Sequence, residues 1–163
     1  MTCMNEYKLR EATTEWLDKQ SFDLFITLNT EVELTKEQMS ELMCRLFYKI
    51  ECDVFGKNIN GEWRRELYKY KDKFHIKRAV VIEGDEKRTH AHIQVKTLEG
   101  FTNEQMIELL KLEYMKLLNT KREKGFLFHA TQIANRDAVS RYTLKKYKID
   151  LRSSFISKHS NKQ

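Results

Sequence analysis

The chain has 163 residues, enough for one domain with a single core, and its 40% apolar content excludes a disordered polypeptide. The net charge of +6 favours polyanionic partners such as nucleic acid. Cys3, Cys44 and Cys52 have neither metal-binding nor redox spacing, which is typical of a reducing, cytoplasmic location. The sequence holds no signal-peptide h-region and no run of about 20 apolar residues, so we expect no membrane partner.

The first predicted elements are a helix, a strand and a second helix. Residues 1–20 have few apolar positions and predict a short helix laid on the domain as an N-terminal extension. In SFDLFITLNT (21–30) apolar residues alternate with mixed positions, which predicts a strand with one fully apolar face. The capping box TKEQ (35–38) opens a helix whose apolar residues recur at helical spacing from 39 to 50.

A segment that interleaves aromatic rings with cations follows Gly56. Such a mixture can stack bases and neutralise phosphates, and an amphipathic connector with a solvated basic face is the alternative interpretation. The candidate DNA-binding residues of this segment are Arg64, Arg65, Lys69 and Lys71.

The second half of the chain predicts a hairpin, a capped helix, a strand and a last helix. IKRAVVIE (76–83) and THAHIQVK (89–96) form the hairpin by pattern, and TNEQ (102–105) is a second capping box. FLFHATQI (126–133) predicts a further strand, after which Asn135 or Asp137 caps a helix that runs through Lys148. Residues 149–163 form a basic tail.

This β-α-β-β-α-β-α order predicts one α+β domain over residues 1–163. The arrangement is the split βαβ of ferredoxin-like and RRM-like folds, an antiparallel sheet with two helices on one face. We expect the other face to be open, so that the last helix is free to cross it.

Two histidines on the second hairpin strand are candidate metal ligands. His90 and His92 alternate with apolar residues and therefore share one face, although an exposed pair without a task has the same pattern. Glu83 ends the paired strand, so the hairpin brings its carboxylate beside them. Two imidazoles and one carboxylate suit Mn²⁺ or Mg²⁺. Gln94 shares the face and is a candidate for orienting or replacing a ligand.

The last helix carries a candidate nucleophile. Tyr142 and Lys145 stand at i and i+3 and so share one face. A phenol reacts as a nucleophile only when a cation or a metal favours its ionised form and an electrophile is held beside it. The alternative interpretation is that these residues only pack the helix and form a solvated basic face. Tyr147 lies about 140° further around the helix and does not share that face. The remaining candidate DNA-binding residues here are Arg141, Lys146 and Lys148.

The strand FITLNT, the His-hydrophobic-His motif in THAHIQVK and the YTLK motif on a C-terminal helix together resemble the motifs of HUH endonucleases. They are most similar to single-tyrosine rolling-circle replication initiators. The resemblance implies metal-dependent nicking of single-stranded origin DNA at a hairpin, through a covalent 5′-phosphotyrosine. It implies Glu83, His90 and His92 as metal ligands, with Tyr142 and Lys145 as catalytic residues. Since no helicase domain follows the motifs, we expect a host helicase to act in trans.

Other classes stay open at this point. Single-tyrosine HUH transposases share the order of motifs and the size, although the YxxK spacing fits the initiators better. Relaxases place the tyrosine near the N-terminus, but Tyr7 lacks the matching context. A non-catalytic RRM-like module would stack bases on aromatics such as Phe25, and a structural metal-binding protein would not need the basic helix.

Overall fold

The structure is a computed structural model that describes residues 3–55, 75–85, 88–120, 125–144 and 148–156. The elements in chain order are α1 (Cys3–Asp18), β1 (Leu24–Leu28), α2 (Lys36–Phe55), β2 (Arg78–Asp85), β3 (Arg88–Val95), α3 (Asn103–Leu117), β4 (Phe128–Gln132) and α4 (Arg136–Leu144). The predicted α+β class is confirmed. No helix within the described ranges is long and apolar enough to cross a membrane.

The four strands form one sheet in the order β2-β3-β1-β4, and each neighbouring pair is antiparallel. The predicted hairpin is β2–β3, in which Glu83 pairs with His90 and Val81 with His92. On the other side of β3, His92 pairs with Thr27 of β1. This register sets the side chains of three strands in line across one face of the sheet.

The main hydrophobic core lies between the opposite face of the sheet and helices α2 and α3. Its apolar side chains come from alternate positions of β1, β2 and β3, as the period-two pattern predicted. Both predicted capping boxes are present, since Thr35 and Gln38 exchange backbone-to-side-chain hydrogen bonds at the start of α2 and Thr102 and Gln105 do so at α3. Buried residues of the two helices in this core include Met39, Met43, Phe47, Met106, Leu110 and Tyr114.

The second face of the sheet carries α4, as predicted, but it is not otherwise open, because the end of α1 also packs on it. Leu17 near the end of α1 and Leu144 at the end of α4 are buried with Ala79 and Val81 of β2. Trp16 packs against the same cluster. The apolar end of α1 docks there because β2 presents small and branched side chains on this face.

Residues 148–156 lie along the free edge of β2. The backbone N–H of Asp150 donates to the carbonyl of Val80 over 2.7 Å. Arg78 and Phe155 exchange backbone hydrogen bonds of 2.7 and 3.0 Å. The C-terminal segment thus satisfies backbone groups that would otherwise leave this edge exposed.

Candidate active site

Glu83, His90 and His92 come together on the face that carries α4. The Glu83 Oε2 atom lies 2.8 Å from His90 Nε2 and 3.3 Å from His92 Nε2. One ligand atom from each residue falls within 4.8 Å of the others. The cause is the hairpin register, which sets Glu83 opposite His90 while alternation returns His92 to the same face.

The cluster has a donor set that could hold a divalent cation. The exposed fractions of the side chains are 4% for His92, 12% for Glu83 and 27% for His90, so His90 is the most exposed of the three. Among the described residues, none donates a hydrogen bond to the buried Oε1 atom of Glu83. An unsatisfied buried carboxylate oxygen is costly unless a cation compensates it. Two imidazoles and a carboxylate suit Mn²⁺ or Mg²⁺ and leave coordination positions for substrate.

Two residues of β1 fix the orientation of the His92 ring. The Thr27 hydroxyl oxygen lies 3.0 Å from His92 Nδ1, and the Phe25 ring stacks on the imidazole with centroids 5.4 Å apart and planes 18° apart. If Nδ1 donates its proton to Thr27, the lone pair of Nε2 is available to a cation held between His92 and Glu83. The mixed face of the first strand, which carries Phe25 and Thr27, therefore holds one of the candidate ligands in place.

Tyr142 on α4 faces this cluster. Its ring centroid is 5.6 Å from that of His92, at an interplanar angle of 71°, and 6.3 Å from that of Phe25. The tyrosine is 49% exposed, so a substrate can reach it from solvent. The fold thus brings the predicted nucleophile beside the predicted ligands. Its partner in the motif, Lys145, lies outside the described residues.

Arg141, a predicted DNA contact, is held by two carboxylates. Its Nη1 and Nη2 atoms donate to the two oxygens of Glu11 over 2.7 and 3.1 Å. Its Nε lies 3.1 and 3.0 Å from the two oxygens of Asp137, one turn earlier on α4. These hydrogen bonds, to Glu11 first and then to Asp137, raise the pKa of Arg141 above its ordinary value.

The other predicted DNA contacts are only partly described. Lys148 is exposed in the segment that follows α4. The residues that lie outside the described ranges are Arg64, Arg65, Lys69, Lys71 and Lys146, together with Tyr147.

Gln94 connects the histidine strand to the tyrosine helix. It is buried, and its Nε2 lies 3.5 Å from Ser140 Oγ on α4. The Gln94 amide therefore points to α4 at Ser140, which is two residues before Tyr142. This contact supports the relative placement of the two elements.

The two histidines without ligand spacing have different surroundings. His129 is exposed on β4 and pairs with Thr27, on the same face as His92. His75 is partly buried, its Nδ1 lies 2.9 Å from Glu51 Oε2, and its ring stacks on Phe155. The buried Glu51 carboxylate explains the difference, because it needs nearby donors.

Thr27, Glu11 and Ser140 were not identified from the sequence as parts of the site. The alternation in the first strand placed Thr27 on the polar face, and that was the available signal for it. Glu11 and Ser140 reach the site through helix packing between distant segments, which leaves no local pattern.

The chain matches no protein-family model, and the comparisons with curated proteins and with solved structures find no match.

Proposed function

We propose that this chain is a metal-dependent, single-stranded DNA endonuclease and strand transferase of the HUH type, which initiates rolling-circle replication through a 5′-phosphotyrosine. The observation that carries the proposal is the 5.6 Å between the rings of Tyr142 and His92, beside the converging Glu83 and His90. A basic net charge of +6 suits the polyanionic substrate.

The sheet supports a finer assignment of the fold. The order β2-β3-β1-β4, with α2 and α3 against one face, agrees with the split βαβ arrangement of ferredoxin-like domains. That arrangement is also the one that the HUH resemblance implies. Strand pairing supports this assignment, and the short motifs support it separately.

Glu83, His90 and His92 would hold the Mn²⁺ or Mg²⁺ ion. Such an ion acts as a Lewis acid that polarises a phosphoryl oxygen of the substrate. Thr27 and Phe25 keep the His92 ring in the ligating orientation. The protein supplies this geometry before substrate arrives, so little reorganisation is needed at the moment of reaction.

Tyr142 performs the covalent step. Its hydroxyl oxygen bonds to the scissile phosphorus while the bond from phosphorus to the 3′-oxygen breaks. The phenolic proton passes to solvent, and the departing 3′-oxygen takes up a proton to become a hydroxyl. In the HUH motif Lys145 would stabilise the charge that develops on the phosphate.

A non-catalytic nucleic-acid-binding module fits the site less well. Such a module needs an open aromatic platform, whereas Phe25 stacks on His92 and meets the edge of Tyr142 under a helix. A transposase of the same class would use the same residues on a different DNA end. Nicking assays with origin hairpins and with transposon ends therefore separate these two activities.

The test is adduct formation on labelled single-stranded DNA that contains a stem-loop. We expect a covalent protein–DNA band on a denaturing gel with Mn²⁺, and no band with EDTA, Tyr142→Phe or the double change His90→Ala and His92→Ala. Tyr7→Phe is the matched control, and it should leave the band intact. Loss of the band in Tyr7→Phe but not in Tyr142→Phe would favour a relaxase-like nucleophile. Binding that survives EDTA and the histidine changes, without any cleavage, would support the module.

A further inference from the structure

Carboxylates occupy both hydrogen-bonding edges of the Arg141 guanidinium in the free chain. Glu11 takes its two terminal nitrogens in a bidentate pair of 2.7 and 3.1 Å, and Asp137 takes the Nε side. Bidentate geometry is the one by which arginine also recognises phosphate. The carboxylate of Glu11 thus stands where two oxygens of a phosphodiester would fit.

The two partners of Arg141 differ in origin. Asp137 belongs to α4 itself and stays with Arg141 when that helix moves as a unit. Glu11 belongs to α1, 130 positions away in the chain. The Glu11 and Arg141 side chains are 27% and 49% exposed, so an incoming strand can reach the pair. Arg141 directly precedes Tyr142 in α4, so the two side chains leave the helix about 100° apart and within the same turn.

We propose that Glu11 acts as an internal mimic of a DNA phosphate, so that α1 and the substrate strand compete for Arg141. This inference rests on the proposed function for the identity of the ligand, single-stranded DNA. In the free chain the pair closes Arg141, and a substrate phosphate takes over the two terminal nitrogens as Glu11 leaves. Asp137 keeps the guanidinium oriented during the exchange.

The exchange is expected to be easy because exposed ion pairs contribute little. Removing the competing carboxylate should tighten binding roughly two- to fivefold, the range that exposed pairs span. The slope of log affinity against log salt should stay the same, because Arg141 contacts the same phosphate with or without Glu11 and the released counterions come from the DNA.

The experiment measures binding of a fluorescent single-stranded oligonucleotide by anisotropy in EDTA, so that no cleavage occurs. Glu11→Gln is compared with Glu15→Gln, which removes the same charge from an exposed position of the same helix. We expect Glu11→Gln to bind more tightly than Glu15→Gln by the stated factor and with an equal salt slope. In an Arg141→Gln background the advantage of Glu11→Gln should disappear. Thermal unfolding of each variant verifies that α1 stays folded.

Equal affinities for Glu11→Gln and Glu15→Gln would overturn the proposal. Weaker binding by Glu11→Gln, or an advantage that persists without Arg141, would overturn it too. Its failure is distinct from failure of the nuclease proposal, since covalent adducts can form while the two glutamine variants bind alike. Conversely, a Glu11-specific gain in binding without adducts would keep the competition and remove the nuclease. A chain that binds no single-stranded DNA in any variant contradicts both proposals.

Discussion

At the scale of single residues, the site is assembled around the imidazole of His92. Thr27 lies at its Nδ1, the carboxylate of Glu83 lies 3.3 Å from its Nε2, and Phe25 stacks on its face. Tyr142 meets the same ring from above the sheet. Each contact comes from a different element or strand position, so the orientation of His92 depends on the pairing of β1 with β3.

Thr27→Val tests whether the Thr27 hydroxyl orients His92, the candidate metal ligand. The change keeps the branched shape and removes the hydroxyl beside Nδ1, so the ring loses a hydrogen bond that holds its orientation. Loss of such a supporting hydrogen bond typically lowers metal affinity about 10- to 100-fold. Titration calorimetry with Mn²⁺ measures the effect. Thr131→Val, on the exposed part of β4, is the control that should bind Mn²⁺ like the unchanged chain, and an equal loss in both variants would refute the assigned role.

The buried phenol of Tyr114 should make the unfolding free energy depend on pH in the alkaline range. Burial raises the pKa of Tyr114 well above its ordinary value, and its hydroxyl donates to the carbonyl of Asn29 at the end of β1. The folded chain therefore keeps this phenol protonated at a pH where the unfolded chain ionises it. The stabilisation is complete below about pH 10 and is lost as the pH rises further.

Tyr114→Phe should flatten that pH dependence. Above about pH 10 the unfolding free energy of the unchanged chain should fall by up to about 1.4 kcal/mol more per pH unit than that of the variant. Below that pH the variant should be less stable by about 1 kcal/mol, because the hydrogen bond is gone. Urea unfolding at a series of pH values gives both quantities. Tyr48→Phe, at an exposed position of α2, should keep the original slope, and a full slope in Tyr114→Phe would contradict the argument.

At the scale of elements, local signals predicted well and packing between distant segments did not. Both capping boxes and the β2–β3 hairpin were predicted because a few neighbouring residues determine them. The docking of α1 on the second face and the pairing of residues 148–156 with β2 were not. Both depend on contacts across more than 60 positions, for which periodicity contains no information.

The anchor of the C-terminal segment is the buried arginine at the start of β2. Arg78 Nη1 donates to Glu51 Oε1 over 2.6 Å, and its Nε donates to the Ser153 carbonyl over 2.7 Å. Its guanidinium carbon also lies 4.2 Å from the ring centroid of Phe47. One side chain thus links α2, β2 and the C-terminal segment.

Arg78→Met should destabilise the fold by about 3–5 kcal/mol, because it leaves the Glu51 carboxylate buried without its arginine. Denaturant unfolding measures the loss. Arg152→Met, at an exposed position of the same segment, should change stability by less than about 0.5 kcal/mol. The double change Glu51→Met and Arg78→Met should recover part of the loss, since it removes both charges. A fully stable Arg78→Met would show that the network does not hold the segment.

At the scale of the whole molecule, the position of the tyrosine is a collective property. Helix α4 contacts α1 through the Glu11–Arg141 ion pair and β3 through Gln94 and Ser140. It contacts β2 through Leu144, which is buried with Ala79 and Val81. The position of Tyr142 therefore depends on α1, β2 and β3 as well as on α4.

This collective placement limits what the sequence could predict about the site. The motif residues were identified because His-hydrophobic-His and YxxK are short patterns with a chemical meaning. Glu83 was identified because a hairpin register can be counted. The ion pair between Arg141 and Glu11 was not predicted, since the two residues lie 130 positions apart and each alone has the pattern of a solvated charge.

The most direct test of the central claim is to locate the covalent bond between the protein and its DNA. The adduct formed on a stem-loop oligonucleotide with Mn²⁺ is digested with protease and nuclease, and the modified peptide is sequenced by mass spectrometry. We predict a phosphonucleotide on Tyr142 that is absent when EDTA is present or when His92 is replaced by alanine. A modification on another residue, or one that forms equally well in EDTA, would contradict the account.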